Sequence, residues 1–308
     1  MPGVVSKPRM LCALHSEVMK ERTKDTTITK GYHPPLNQML SDLSPVVEFQ
    51  IPDKATLQAP VCRAVSTDQG GMHVGVMATL MDVLGGGLAL ANFSPDWAAT
   101  THLSVQSTGR ALSGYIDAQG ELRKTGRNTV LVKVNIRHRP HEQGNFTPVA
   151  TAIIGFTRFS PRKGSQTLPA DINREQMLCS NLDRSGSFEP FYDKVGLRIL
   201  NEAEALIQVE MSDYVQNSFH ALNGGVVALL GDLAGQTAAR HATGKPFVTT
   251  DLAVHFLKLG EVGPFQTKTK LLRKTDETVL SLIEICDAGA GNRLISIATN
   301  LTTLNDVG

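Results

Sequence analysis

Two aspartates sit where an acid is expensive to keep. Asp82 lies in the apolar run Val76–Ala91 and Asp232 in the run Val226–Arg240, each seven residues past a glycine, Gly75 and Gly225. Seven residues is about two helical turns, too deep for either carboxylate to cap a helix start. An acid among apolar side chains is costly unless it is paired or put to use. A backbone partner, or water at one helix edge, would satisfy it blandly; the same acid at the same place in both runs favours use. The glycines add a second group. N–H groups at a helix start lack intrahelical partners and carry the positive end of the helix dipole, so a carbonyl oxygen or oxyanion binds there. Leu222-Asn-Gly-Gly-Val226 offers such a start, and glycine lets a substrate approach the backbone closely. Met72-His-Val-Gly-Val76 offers it with Val74 in the place of Gly224. A carboxylate beside a preorganised oxyanion donor is the pairing that drives attack on a carbonyl.

A repeat positions these groups. His73-Val-Gly-Val-Met-Ala-Thr-Leu-Met-Asp82 aligns with Asn223-Gly-Gly-Val-Val-Ala-Leu-Leu-Gly-Asp232 at an offset of 150 residues. Thr100-Thr-His-Leu-Ser-Val105 aligns with Thr249-Thr-Asp-Leu-Ala-Val254 at 149, and Leu122-Arg-Lys-Thr125 recurs verbatim as Leu272-Arg-Lys-Thr275. One domain type is therefore present twice. Each copy opens on strand-like runs, Val46–Ile51 and Ala59–Ala64 in the first and Gly196–Met211 in the second. The long apolar segments follow and are too long for strands; apolar nearly all round, they predict buried helices. Alternating stretches predict antiparallel strands at Thr100–Gln106, Val130–Arg137 and Val149–Phe159. The second copy has Thr249–Leu257, Phe265–Leu272, Thr278–Cys286 and Leu294–Leu304. The expected class is α+β, with a sheet curled round a helix in each copy. The expected division is an amino-terminal arm over 1–45, domains over 46–160 and 187–308, and a polar linker over 161–186. Leu11–Arg22 and Leu36–Leu43 are candidate helices of the arm, and Asn173–Cys179 a short one in the linker.

The pattern Asn217-x5-Asn223-Gly-Gly-x6-Asp232 resembles the N-x5-H-G-G-x6-D pattern of hotdog-fold thioesterases of the phenylacetate-pathway (PaaI-like) group. The following Thr-Thr-Asp-Leu-Ala-Val also resembles that group's next strand. The likeness covers most of 187–308 and, more loosely, 46–160. It implies two hotdog domains in tandem and hydrolysis of acyl-CoA thioesters, with CoA as part of the substrate and no other cofactor or metal. It further implies composite sites, each taking its glycine loop from one domain and its acid from the other. One would join Asn217, Asn223, the Gly224 N–H and Gly225 to Asp82 and Thr100. The other would join Thr67, His73, the Val74 N–H and Gly75 to Asp232 and Thr249. The first copy departs from the pattern with Thr67 for Asn and Val74 for glycine; the second departs with Asn223 for His. The combination with Asn217, Gly224 and Asp82 is the more complete. Two rivals stay open: a non-catalytic acyl-CoA-binding module, and a hydratase or dehydratase that would use His73 with Asp232. Pairing of two chains into a four-hotdog assembly is implied as well.

Composition bounds the rest. The chain has 308 residues, with 30 Lys plus Arg against 29 Asp plus Glu, a net charge of +1. That balance argues against nucleic acid or an anionic membrane as partner. Four scattered cysteines, without a CxxC pair, read as reduced thiols of a cytoplasmic protein. Signal peptide, membrane span, GxSxG, GxGxxG and GxxxxGK[ST] are not found in the sequence. Arg123, Lys124, Arg127, Arg273 and Lys274 read as solvated turn residues, with CoA phosphates as their alternative. His138, His141 and His220 read as exposed, and His102 and His255 as edge-facing strand residues.

Overall fold

The computed structural model describes residues 38–305, apart from 161–189 and short stretches at 44, 51, 69, 108–110, 112 and 142–143. The candidate helix Leu11–Arg22, the linker and its candidate helix Asn173–Cys179 lie outside the described residues.

The first copy runs α1 (Gln38–Leu43), β1 (Val46–Gln50), β2 (Lys54–Val61), α2 (Val74–Phe93), β3 (Trp97–Ser107), β4 (Gly114–Thr125), β5 (Thr129–Arg139) and β6 (Thr147–Phe159). The second runs α3 (Phe191–Val195), β7 (Arg198–Asn201), β8 (Leu206–Val209), α4 (Gly224–Thr243), β9 (Phe247–Phe256), β10 (Phe265–Lys274), β11 (Thr278–Asp287) and β12 (Arg293–Leu304). Among the described residues, the twelve strands form one antiparallel sheet, in the order β1-β2-β4-β5-β6-β3-β9-β12-β11-β10-β8-β7. Read inward from its two ends, the sheet has the same order twice, and the halves meet where β3 pairs with β9. That seam sets His102 opposite His255 and Gln106 opposite Asp251. The two histidines are therefore central in the sheet, not at an edge.

Alternation builds the strands. In β5, Val130, Val132, Val134 and Ile136 are buried while Leu131, Lys133 and Asn135 face out. The inward faces cover α2 and α4, whose core side chains, among them Leu80, Leu84, Leu88, Leu229 and Leu230, are fully buried. With a sheet on one side and a second helix on the other, α2 buries most of its surface, and a narrow face with Asp82, Gly86 and Leu90 stays partly open. Its 20 residues would span a membrane by length and composition, yet it is a core helix. The helices touch near their glycine-marked starts. A Cβ on Gly225 would lie 2.4 Å from the Thr79 side chain, and one on Gly75 would lie 3.1 Å from the Leu229 Cα. Side chains there would push the helices, and the acids they carry, apart.

The strands depart from the expected runs in three places. In place of Ala59–Ala64, β2 covers Lys54–Val61 and Arg63–Val65 is a 3-10 turn. Gly196–Met211 is a hairpin, because Asn201 Oδ1 accepts the Ala203 and Glu204 N–H groups at 2.9 and 3.3 Å and turns the chain. β4 was hidden in the sequence by Asp117, Glu121, Arg123 and Lys124, while its inward face is made of Gly114, Ile116, Ala118 and Gly120.

Candidate active site

The two acids, equivalent in sequence, stand in different surroundings. Asp82 lies on α2 and faces the start of α4. A Cβ on Gly224 would come within 2.9 Å of Asp82 Oδ2, so only a glycine lets the carboxylate stand against that helix start. Asn223 caps α4, its Oδ1 accepting the Gly225 N–H at 2.8 Å. The Gly224 N–H has no acceptor among the described residues. Thr100 Oγ1 donates to Asp82 Oδ1 at 2.8 Å, while no donor among the described residues reaches Oδ2. These groups open on a cavity of about 340 Å³ lined by Asp82, Gly86, Thr100, Asn217, Asn223 and Gly224 and walled by Phe156, Phe159, Phe219 and Phe256. Asn217 shapes the loop, its Oδ1 accepting the Phe219 and Ala221 N–H groups at 2.9 and 3.2 Å. Burial pushes the Asp82 carboxyl up to about 6, against the opposing hydrogen bond from Thr100.

Asp232 is sealed. It is fully buried, and its Oδ2 accepts the Gly75 N–H at 2.9 Å and the Tyr192 hydroxyl at 2.7 Å. Its Oδ1 accepts Gln236 Nε2 at 2.8 Å and the Thr249 hydroxyl, which in turn accepts Asn300 Nδ2 at 3.1 Å. Four donors on two oxygens leave little room for a substrate. Tyr192 comes from α3, pinned by Lys194 Nζ to Asp42 Oδ2 at 2.6 Å. Burial, followed by Asp232, pushes the phenol well above its usual range, so it stays a donor. The His73 ring stacks on Tyr192, with centroids 4.0 Å apart. Burial lowers the His73 pKa despite Asp232 and Asp68, and its Nδ1, 3.8 Å from Asp232 Oδ2, has no hydrogen-bond partner among the described residues. That contact is therefore no ion pair. A second cavity, of about 310 Å³, is lined by Thr67, Val74, Gln236 and Thr249, but by neither His73 nor Asp232.

No protein-family model and no curated sequence matches the chain. Solved structures do match in three dimensions. The tesB protein of Mycobacterium avium subs paratuberculosis has a TM-score of 0.59 at 10% identity, over 88% of this chain and 99% of that one. An acyl-ACP thioesterase of Bacteroides thetaiotaomicron has 0.53 at 8%, over 81% and 97%. A hot dog fold protein of unknown function from Alicyclobacillus acidocaldarius has 0.52 at 11%, over 87% and 98%. The chain has the hotdog fold.

Several groups around this hotdog's open cavity escaped the sequence. The loop Leu257–Gly260 forms one wall, with the exposed Lys258 in the cavity lining. The loop is fastened by Asp287, which accepts the N–H groups of Glu261, Val262 and Gly263 at 2.9, 3.1 and 2.9 Å, and by Arg293 Nη2, which donates to Leu259 O at 3.0 Å. Burial works to raise the Asp287 pKa, but these backbone donors, with that of Ala290, hold it below the usual range. Asp287 had no counterpart in the repeat to flag it. Tyr192 escaped for a related reason, since α3 lies ahead of the aligned stretch. Arg123, Lys124, Arg127, Arg273 and Lys274 line neither cavity. No cluster of three or more His, Cys, Asp and Glu that would hold a metal occurs among the described residues.

Proposed function

We propose that the chain is a tandem double hotdog that hydrolyses acyl-CoA thioesters at one working site, built from Asp82 and Thr100 of the first domain and Asn217, Asn223 and Gly224 of the second. The observation that carries this reading is the unpaired Asp82 oxygen facing the start of α4 across an apolar cavity. Asp82 takes a proton from water as the water oxygen bonds to the thioester carbon. The carbonyl electron pair moves onto oxygen, where the Gly224 N–H stabilises it. Collapse restores the carbonyl and breaks the C–S bond, and the thiolate takes the proton back from Asp82, giving free acid and CoA. Thr100 orients the base. Asp232, with its four donors, serves as a structural acid in this reading, and with it Gly75, Thr67, Val74 and Thr249 leave the chemistry. The hydratase alternative needs His73 with Asp232, and neither lines either of the two cavities described.

The test is thiol release from a panel of acyl-CoAs. Turnover of at least one supports hydrolysis, and tight binding without release from any supports the binding-module alternative. The pH dependence follows from Asp82. A base must be ionised, so kcat/KM rises tenfold per pH unit below about 6 and levels off above it. Thr100→Val removes the hydrogen bond that holds the pKa down, which moves this limb to higher pH. A pH–rate profile in which the limb stays put or moves down contradicts the assignment.

A further inference from the structure

We infer that the absence of a side chain at position 86 keeps Asp82 unmasked and lets the cavity accept acyl groups that carry bulk at the carbon next to the carbonyl. This rests on the hydrolase reading of the same cavity. Gly86 sits one turn beyond Asp82 on the same face of α2, in a run of three helical glycines. Its two neighbours are explained by packing: a Cβ on Gly85 would lie 2.9 Å from the Phe156 ring and one on Gly87 would lie 2.3 Å from the Phe49 ring. Gly86 is not explained that way. A Cβ there would meet only Phe156, at an ordinary 3.9 Å, so an alanine fits, and glycine is the poorer helix former.

What the glycine provides is visible at its counterpart. Position 236, the same distance along α4, is glutamine, and its Nε2 donates to Asp232 Oδ1 at 2.8 Å. Gln236 lines the second cavity while Asp232 does not, so the amide stands between the acid and the space. At position 86 that space is empty and belongs to the open cavity. Because it lies one turn from the acid, it falls beside the reacting carbonyl and not at the far end of an acyl chain. The favoured substrates are accordingly thioesters branched at the second carbon.

Isobutyryl-CoA and butyryl-CoA are isomers in which one methyl group moves between the second carbon and the third. In Gly86→Ala the ratio of kcat/KM for isobutyryl-CoA over butyryl-CoA falls about tenfold or more relative to wild type, as one methyl group in a pocket does. A ratio within twofold of wild type overturns the inference. Gly86→Gln loses turnover of both isomers with a retained circular-dichroism melt; retained turnover overturns the masking role. If wild type releases no thiol from any thioester, the hydrolase reading fails, and the inference is decided by calorimetry. S-isobutyl-CoA must then lose about tenfold more affinity than S-butyl-CoA on Gly86→Ala, and equal losses overturn it.

Discussion

Replacing Asp82 by asparagine lowers kcat/KM for acyl-CoA hydrolysis by roughly 10²–10⁴-fold, the span a positioned base contributes, and leaves the thermal midpoint at or slightly above that of wild type. Both halves follow from the surroundings of the carboxylate. An asparagine keeps an oxygen to accept from Thr100, whose hydroxyl sits 2.8 Å from Oδ1. It removes a charge that burial already disfavours, since burial holds this acid near 6. The fold therefore loses nothing it relies on, while water loses the group that takes its proton. Asn217→Ala and Thr100→Val make milder changes, because one shapes the loop and the other aims the base. Turnover is read by thiol release at saturating and limiting substrate, with the melt by circular dichroism alongside. An Asp82→Asn protein that hydrolyses thioesters within a few-fold of wild type removes Asp82 from the chemistry.

The repeat made much of the architecture legible. The offset of 150 residues placed Asp82 and Asp232 in equivalent helices, and α2 and α4 each span 20 residues at that offset. Alternation found β5, β6 and β11, whose buried faces each carry Val and Ile. It missed β4, whose buried side is largely small residues and whose exposed side is charged. The sites were legible as types but not in their difference. Internal symmetry says that two acids share a place in a helix, and not what reaches them from elsewhere. Tyr192 reaches Asp232 from α3, a segment outside the aligned stretch, and Gln236 reaches it from its own helix. The pairing of Gln236 with Gly86 was present in the alignment, four residues past each acid. Its meaning depended on which side of the helix faced a cavity, and that is a property of packing. The edge-facing reading of His102 and His255 failed likewise, because no local pattern says that β3 and β9 join the two halves.

Asp232→Ala is expected to act in the opposite sense, costing stability and sparing chemistry. The substitution strips the acceptor from the Gly75 N–H, the Tyr192 and Thr249 hydroxyls and the Gln236 amide, all arrayed round a carboxylate with no exposure to water. A buried donor left without an acceptor costs about 1–3 kcal/mol. Thr249 and Gln236 can turn toward other partners, but the Gly75 N–H is fixed by the start of α2 and the Tyr192 ring by its stack on His73. The total is about 3 kcal/mol or more, which lowers the thermal midpoint by roughly 6–12 °C for folding units of this size. Tyr192→Phe removes one donor and leaves three, so it costs only about 1 kcal/mol. At 25 °C, well below either midpoint, both variants keep kcat/KM within a few-fold of wild type, since neither side chain lines the open cavity. Melting followed with and without S-butyl-CoA separates the two acids further. The ligand, seated against Asp82, raises the midpoint of Asp232→Ala by as much as it raises that of wild type. An Asp232→Ala protein that melts like wild type but has lost turnover would overturn this division and move the chemistry to the second acid. A deep loss of midpoint with turnover intact assigns Asp232 to the junction of the two helices, where its carboxylate receives the start of α2 as the space beside Asp82 receives substrate.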